Sequence, residues 1–260
     1  MTGRESSLRV EQRDTVVLIG LDRPEKRNAL DEAIVDEIHA VLDEHKRSPC
    51  VVIFHSTTPG TFAAGADIAE LLDRDADDAL RAINAGLCER IEAHRWPTIA
   101  AVDGPALGGG CELAIACDLR VASPTARFGQ PELGLGIMAG AGGNWRLAQL
   151  VGLGVARRML YTGEMLGGEQ AKAAGLVDAV HPADELVEAA VALAGEIAKR
   201  SWRALELTKL ALRLHRPATT MFDITAQALL FESDDKRERM EAFLHRREQR
   251  DPPSADPKSQ

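Results

Sequence analysis

The sequence predicts an α/β fold whose strands pair in parallel, followed by a largely helical final third. Three observations carry this expectation. Short β-branched apolar runs recur along the first half, stretches with helical spacing lie between them, and from about Gly154 onward the strand signal fades while helical stripes continue. At 260 residues, 45% hydrophobic and 27% charged, the chain has ample length to bury a core without disulfide staples.

Taken in order, residues 8–21 cluster β-branched residues around a polar break at Arg13 and Asp14, the signature of a hairpin. Asp31 is the expected N-cap of a helix carrying Ile34, Ile38, Val41 and Leu42 on one face, and the apolar run 50–54 follows as a strand. A second helix is expected over about 77–95, then strands at 98–102 and 119–122 with a short helix after Gly110 between them. Leu186, Val187, Ala190, Val191, Ala194, Ile197 and Ala198 form a further helical stripe. Met221, Ile224, Ala228 and Phe231, then Met240, Phe243 and Leu244, mark two terminal amphipathic helices that either pack back on the core or form a subunit interface. The Pro-rich polar tail 251–260 is expected to be disordered.

A formal charge of -9 offers no basic face to nucleic acid or to an anionic membrane, so any anionic ligand must find its cations locally. No apolar run approaches the roughly 18 residues that span a bilayer, and the first fifteen residues lack a signal-peptide core. Cys50, Cys88, Cys111 and Cys117 show neither CxxC nor framework spacing, which predicts reduced, mostly buried thiols in a cytoplasmic protein.

The seven histidines form no HExxH, HxH or Cys/His cluster, so no metal site is expected. Gly134, Gly136 and Ala139 match a G-x-G-x-x-A spacing, but no buried strand is read in the preceding ARFGQPEL and no acidic residue stands about 20 positions on. A nicotinamide cofactor is therefore rejected. Two glycine-rich stretches remain. In GPALGGGCELAIAC, residues 104–117, a triple glycine opens into a helix bearing Glu112, and a helix start offers unspent N–H groups and a positive dipole end. Such a stretch builds either an oxyanion site or a close helix-to-strand crossing. In FGQPELGLGIMAGAGGNWRL, residues 128–147, Glu132 follows Pro131, and Gly140, Gly142 and Gly143 precede another helix start. A lone loop glutamate is ordinarily solvated. Paired with Glu112 beside anion-stabilising amides, it suits proton transfer at a carbon next to a carbonyl. A third stretch, TFAAGADI at 61–68, either leaves its amides accessible or simply makes a tight turn.

Together with LDRPEKRNALD at 21–31 and the terminal MEAFLHRRE, these segments resemble the crotonase, or enoyl-CoA hydratase/isomerase, superfamily over nearly the whole chain. The resemblance implies a crotonase spiral of ββα units over 1–195, a helical region at 196–250 that assembles trimers or paired-trimer hexamers, and the tail at 251–260. It implies an acyl-CoA substrate and no separate cofactor, coenzyme A entering as part of the substrate. By motif match the thioester oxygen sits between the N–H groups of Ala66 and Gly109. Glu112 activates water, Glu132 protonates the alpha carbon, and the Gly140 amide helps hold the water. Lys26, Arg27, Ala29, Ala64, Asp67, Ile68 and Arg246 or Arg247 fall where relatives contact the CoA moiety. Met138 and Trp145 fall at the acyl pocket, where many hydratases carry other residues. Possession of both glutamates favours enoyl-CoA hydration. An enoyl-CoA isomerase, a specialised lyase of the same fold and a non-catalytic acyl-CoA-binding member are the alternatives.

Overall fold

The computed structural model describes residues 6–65 and 81–213. The hairpin forms as expected: β1 (Leu8–Arg13) pairs antiparallel with β2 (Val16–Leu21), and Asp14, at φ 53°, takes the left-handed turn between them. Asp31 caps α1 (Glu32–His45), its carboxylate accepting the Ile34 N–H at 3.1 Å. β3 (Val51–Ser56) follows, then α2 (Ile83–Glu92) and β4 (Thr98–Val102). The helix expected to run to Arg95 stops at Glu92. Pro97 disfavours helical backbone in the residue before it, and the chain must already be straightening toward β4. The earlier part of that expected helix, 77–80, lies outside the described residues.

β5 (Pro105–Leu107) leads directly into α3 (Gly109–Ala116), β6 (Leu119–Ala122) and β7 (Arg127–Gly129). β7 is a correction. The stretch ARFGQPEL does contain a strand, with Phe128 and Gly129 buried, but at three residues it is too short to show a period. It runs into a 3-10 helix at Glu132–Leu135, so Gly134 and Gly136 do not form a strand-to-helix dinucleotide turn. α4 (Gly143–Thr162) is interrupted at Gly152, and β8 (Leu166–Gly167), α5 (Gly168–Ala173), β9 (Ala179–Val180) and α6 (Leu186–Ala198) complete this part of the chain.

One sheet has the order β1-β2-β3-β4-β6-β9, parallel from β2 onward; a second has the order β5-β7-β8. Every residue of β2 and β4 is buried, as expected of strands covered on both faces. α6 packs against β2, β3, β4 and β6, while α1 meets α2, α2 meets α3, and α3 meets α4 and β5. The core is built on Phe54, Phe62, Phe128, Ile19, Ile53 and Leu87, all essentially inaccessible, and the four cysteines are buried among such residues.

The chain divides into two units, one ending at Lys199 and the other beginning at Arg200. Of the second, the described part is α7 (Trp202–Arg213), an amphipathic helix with an Arg203–Glu206 ion pair at 2.9 Å. The expected helices around Met221 to Leu244 and the tail lie outside the described residues. Among the described residues no helix is long and apolar enough to cross a membrane.

Candidate active site

The chain leaves the carboxyl ends of β3 and β4 in two segments, the loop 57–65 and 103–108 with β5 inside it, and these face one another. Ala63 bridges to Ala106, and its carbonyl accepts the Leu107 N–H at 3.1 Å. A Cβ on Gly65 would lie 3.4 Å from the Gly109 nitrogen, so the backbone at Gly65 runs beside the start of α3. Gly109 is the first residue of that helix, and helix geometry gives its N–H no intrahelical acceptor. The close approach depends on Gly110. A Cβ there would stand 2.2 Å from the Ala63 carbonyl oxygen. The triple glycine thus makes a tight crossing, which brings the start of α3 against the 57–65 loop. Ala66, Asp67 and Ile68 lie outside the described residues, as do Arg246 and Arg247.

The segment 22–30 is sewn to the same loop. Asn28, fully buried at φ 55°, donates to Ser56 Oγ at 2.8 Å and to the Phe62 carbonyl at 2.9 Å, while its Oδ1 accepts the Arg23 N–H at 2.8 Å. The Ala64 N–H reaches the Arg27 carbonyl and the Leu30 N–H reaches the Gly65 carbonyl, each at 3.0 Å. Lys26 and Arg27 are exposed, Ala29 is buried and Ala64 is half-buried, so these four candidates share one neighbourhood.

Glu112 occupies the first turn of α3 and is 3% exposed. One carboxylate oxygen, Oε1, accepts the Ala141 N–H at 2.7 Å and the Gly143 N–H at 2.8 Å, the latter being the first residue of α4. Burial pushes this carboxyl above its usual range, against the pull of those two N–H groups and of Arg146. Glu132 opens the 3-10 helix, and its Oε1 would stand 3.0 Å from a Cβ on Gly108, the residue that caps α3. Burial, with the charge of Glu112 adding to it, raises the Glu132 carboxyl to about 7. The buried Gln130 amide, turned to satisfy its surroundings, donates to Glu132 Oε1 at 2.9 Å and Oε2 at 3.2 Å.

The structure thus brings together Glu112, Glu132 and the Gly109 N–H. Gly140 is exposed, one residue before the first amide that grips Glu112. Met138 and Trp145, 62% and 43% exposed, stand on either side of Gly140 in the chain, and Leu133, Leu135 and Ile137 are exposed as well. Among the described residues no group of His, Cys, Asp and Glu is arranged to hold a metal. Sequence reasoning did not anticipate the amides of Ala141 and Gly143, Gln130, or Arg146. The last carried a signal: a cation in the first turn of a helix opposes the helix dipole and calls for an acidic partner.

A buried and a half-buried carboxyl with raised proton affinities, beside a helix end presenting an unspent amide, can move protons at a carbon whose neighbouring carbonyl gains negative charge. The chain matches the enoyl-CoA hydratase/isomerase family model over residues 11–253 and belongs to that family. It is 40% identical over 250 residues to the 2,3-dehydroadipyl-CoA hydratase of Escherichia coli, covering 93% of this chain and 97% of that one. It is 38% identical to the crotonyl-CoA hydratase of Syntrophomonas wolfei, covering 92% and 95% of the two chains. A crystal structure of an enoyl-CoA hydratase from Geobacillus kaustophilus, 37% identical, superposes with a TM-score of 0.87 over 92% of this chain and 95% of that one.

Proposed function

We propose that this protein is an enoyl-CoA hydratase, adding water reversibly across the double bond of a trans-2-enoyl-CoA to give the 3-hydroxyacyl-CoA. The observation that carries the reading is the convergence of Glu112 and Glu132 on the glycine-opened start of α3. A reaction managed by a single carboxylate, as in double-bond isomerisation, has no evident use for the second. The hydratase names of the relatives support the same choice.

In this mechanism Glu112 takes a proton from water as the water oxygen bonds to C3. The π electrons shift toward the thioester, whose oxygen becomes an enolate held by the N–H groups of Ala66 and Gly109. Loss of one such donor typically costs about 3 kcal/mol of barrier. Glu132, carrying a proton, delivers it to C2. One proton has entered Glu112 and one has left Glu132, so a transfer between them restores the starting state. Gly140 helps seat the water, Met138 and Trp145 border the acyl chain, and Lys26, Arg27, Ala29, Ala64, Asp67, Ile68 and Arg246 meet the CoA moiety. No other cofactor is needed. Residues 1–195 form the catalytic core and 196–250 the trimerising region, an assignment supported by the division between Lys199 and Arg200.

The test is incubation with CoA thioesters of varied length and branching, followed by mass spectrometry. Gain of one water by a 2-enoyl-CoA is the expected result. Migration of a 3-enoyl double bond without water gain identifies an isomerase, and tight CoA-ester binding without turnover identifies a non-catalytic member; either result overturns the reading.

A further inference from the structure

Arg146 lies in the first turn of α4, where a cation is disfavoured by the helix dipole, yet its side chain is only 5% exposed. Three hydrogen bonds hold it there. Nη1 donates to the Ala141 carbonyl at 2.7 Å, while Nε and Nη2 donate to Glu92 Oε2 at 3.0 and 2.6 Å. The Trp145 ring lies 4.2 Å from the guanidinium carbon, and a Cβ on Gly142, at φ 97°, would lie 2.1 Å from Nη1. The guanidinium is therefore pressed against the very turn whose amides grip Glu112. Ala141 is the link: its carbonyl binds Arg146 and its N–H binds Glu112 Oε1. Among the described residues Glu112 Oε2 accepts no hydrogen bond, which leaves that oxygen to face a reactant.

We propose that the Glu92–Arg146 pair is a positioning device for Glu112, Arg146 locking the two-amide clamp and Glu92 metering the positive charge that reaches the carboxylate. This rests on the reading of Glu112 as the group that takes a proton from water. Among the described residues the other titratable groups facing Glu112 are Cys88 from α2, Cys111 on α3 itself and Glu132 from the 3-10 helix. β4 and β5 carry no titratable side chain, and Arg120 of β6 is spent on the carbonyls of Cys117 and Leu176. Among the described residues Arg146 is the cation that acts on this carboxyl, and Glu92, 28% exposed, is the acid paired with it. Removing Glu92 leaves Arg146 uncompensated and makes Glu112 a weaker base. Removing Arg146 does the reverse.

The test reads the proton on Glu112 directly, by infrared titration of 13C-glutamate-labelled protein, the Glu112 band being the one missing in Glu112→Gln. Glu92→Gln is expected to move the midpoint down and Arg146→Met to move it up, each by roughly one pH unit, with Arg146→Lys close to wild type. A purely structural pair gives midpoints that stay put or move together in the folded variants, and that result overturns the proposal. If Arg146→Met does not melt cooperatively, Glu92→Gln decides alone: a lowered midpoint supports the device and an unchanged or raised one ends it. The wild-type assay with crotonyl-CoA separates the two readings. Opposed shifts in a protein that hydrates nothing sink the proposed function and leave the device standing; normal hydration with unmoved midpoints does the opposite.

Discussion

Glu112 Oε1 accepts the Gly143 N–H at 2.8 Å, so the carboxylate on one helix is fastened to the first residue of another. An amide oxygen can occupy the same place, which separates chemistry from architecture. Glu112→Gln is expected to keep a thermal midpoint near wild type while hydration falls by about 10²- to 10⁴-fold. Glu112→Ala strands the Ala141 and Gly143 N–H groups and opens a void, for an expected loss of about 3 kcal/mol in denaturant unfolding. Near-normal turnover in the Gln variant would remove Glu112 from the mechanism.

Glu132 predicts a pH dependence of opposite sign to that of an ion-paired acid. Its carboxyl is raised from 4.5 to about 7 in the folded protein, so between those values the native state holds a proton that the unfolded chain has released. Stability falls as pH rises through this window, and the full cost is present above about 7. Glu132→Gln is therefore expected to be more stable than wild type at pH 8 by about 2 kcal/mol and no more stable at pH 4, allowing for the partial exposure of the group. The same titration removes the proton donor, so wild-type hydration should decline above about pH 7. Paired urea melts at pH 4 and 8 and a pH–rate profile check both limbs.

Gly110 predicts that the crossing of α3 over the 57–65 loop is sterically saturated. Gly110→Ala places a methyl 2.2 Å from a carbonyl oxygen, which backbone movement alone can relieve. A loss of about 2 kcal/mol is expected, together with a large fall in kcat as the Gly109 amide moves off target. Gly195→Ala is the matched control. It lies inside α6 with no described atom within 4 Å of its Cβ position, and should gain about 0.5 to 1 kcal/mol with activity unchanged.

Much of this was legible where the signal was local. Asp31 caps α1 because an aspartate ahead of an apolar 3.6-residue pattern has few alternatives, and α6 coincides with the stripe from Leu186 to Ala198. Glu112 stood out because the glycines that open its helix are contiguous with it. The strands β5, β7, β8 and β9 did not stand out, since two or three residues cannot show a period. Nor did the amides gripping Glu112, which come from 29 and 31 positions away, or the Arg146–Glu92 bond, which spans 54. Those partners are chosen by how helices pack, and no local pattern encodes them.

Asn28 supplies the last prediction, because its side chain both accepts and donates. Its Oδ1 takes the Arg23 N–H, and its Nδ2 gives hydrogens to Ser56 Oγ and the Phe62 carbonyl. Aspartate tolerates the same left-handed backbone and preserves the acceptor, but it turns a carboxylate oxygen toward the Phe62 carbonyl. Asn28→Asp is expected to lose about 3 kcal/mol at pH 7 and to recover part of it at pH 4, where protonation restores a donor. Because Phe62 sits in the loop that leads to Ala64 and Gly65, the change should also raise KM for a CoA thioester more than it lowers kcat. Chemical denaturation at the two pH values, beside steady-state kinetics at pH 7, measures both effects; a KM that stays at the wild-type value would show that the loop keeps its place without this tie.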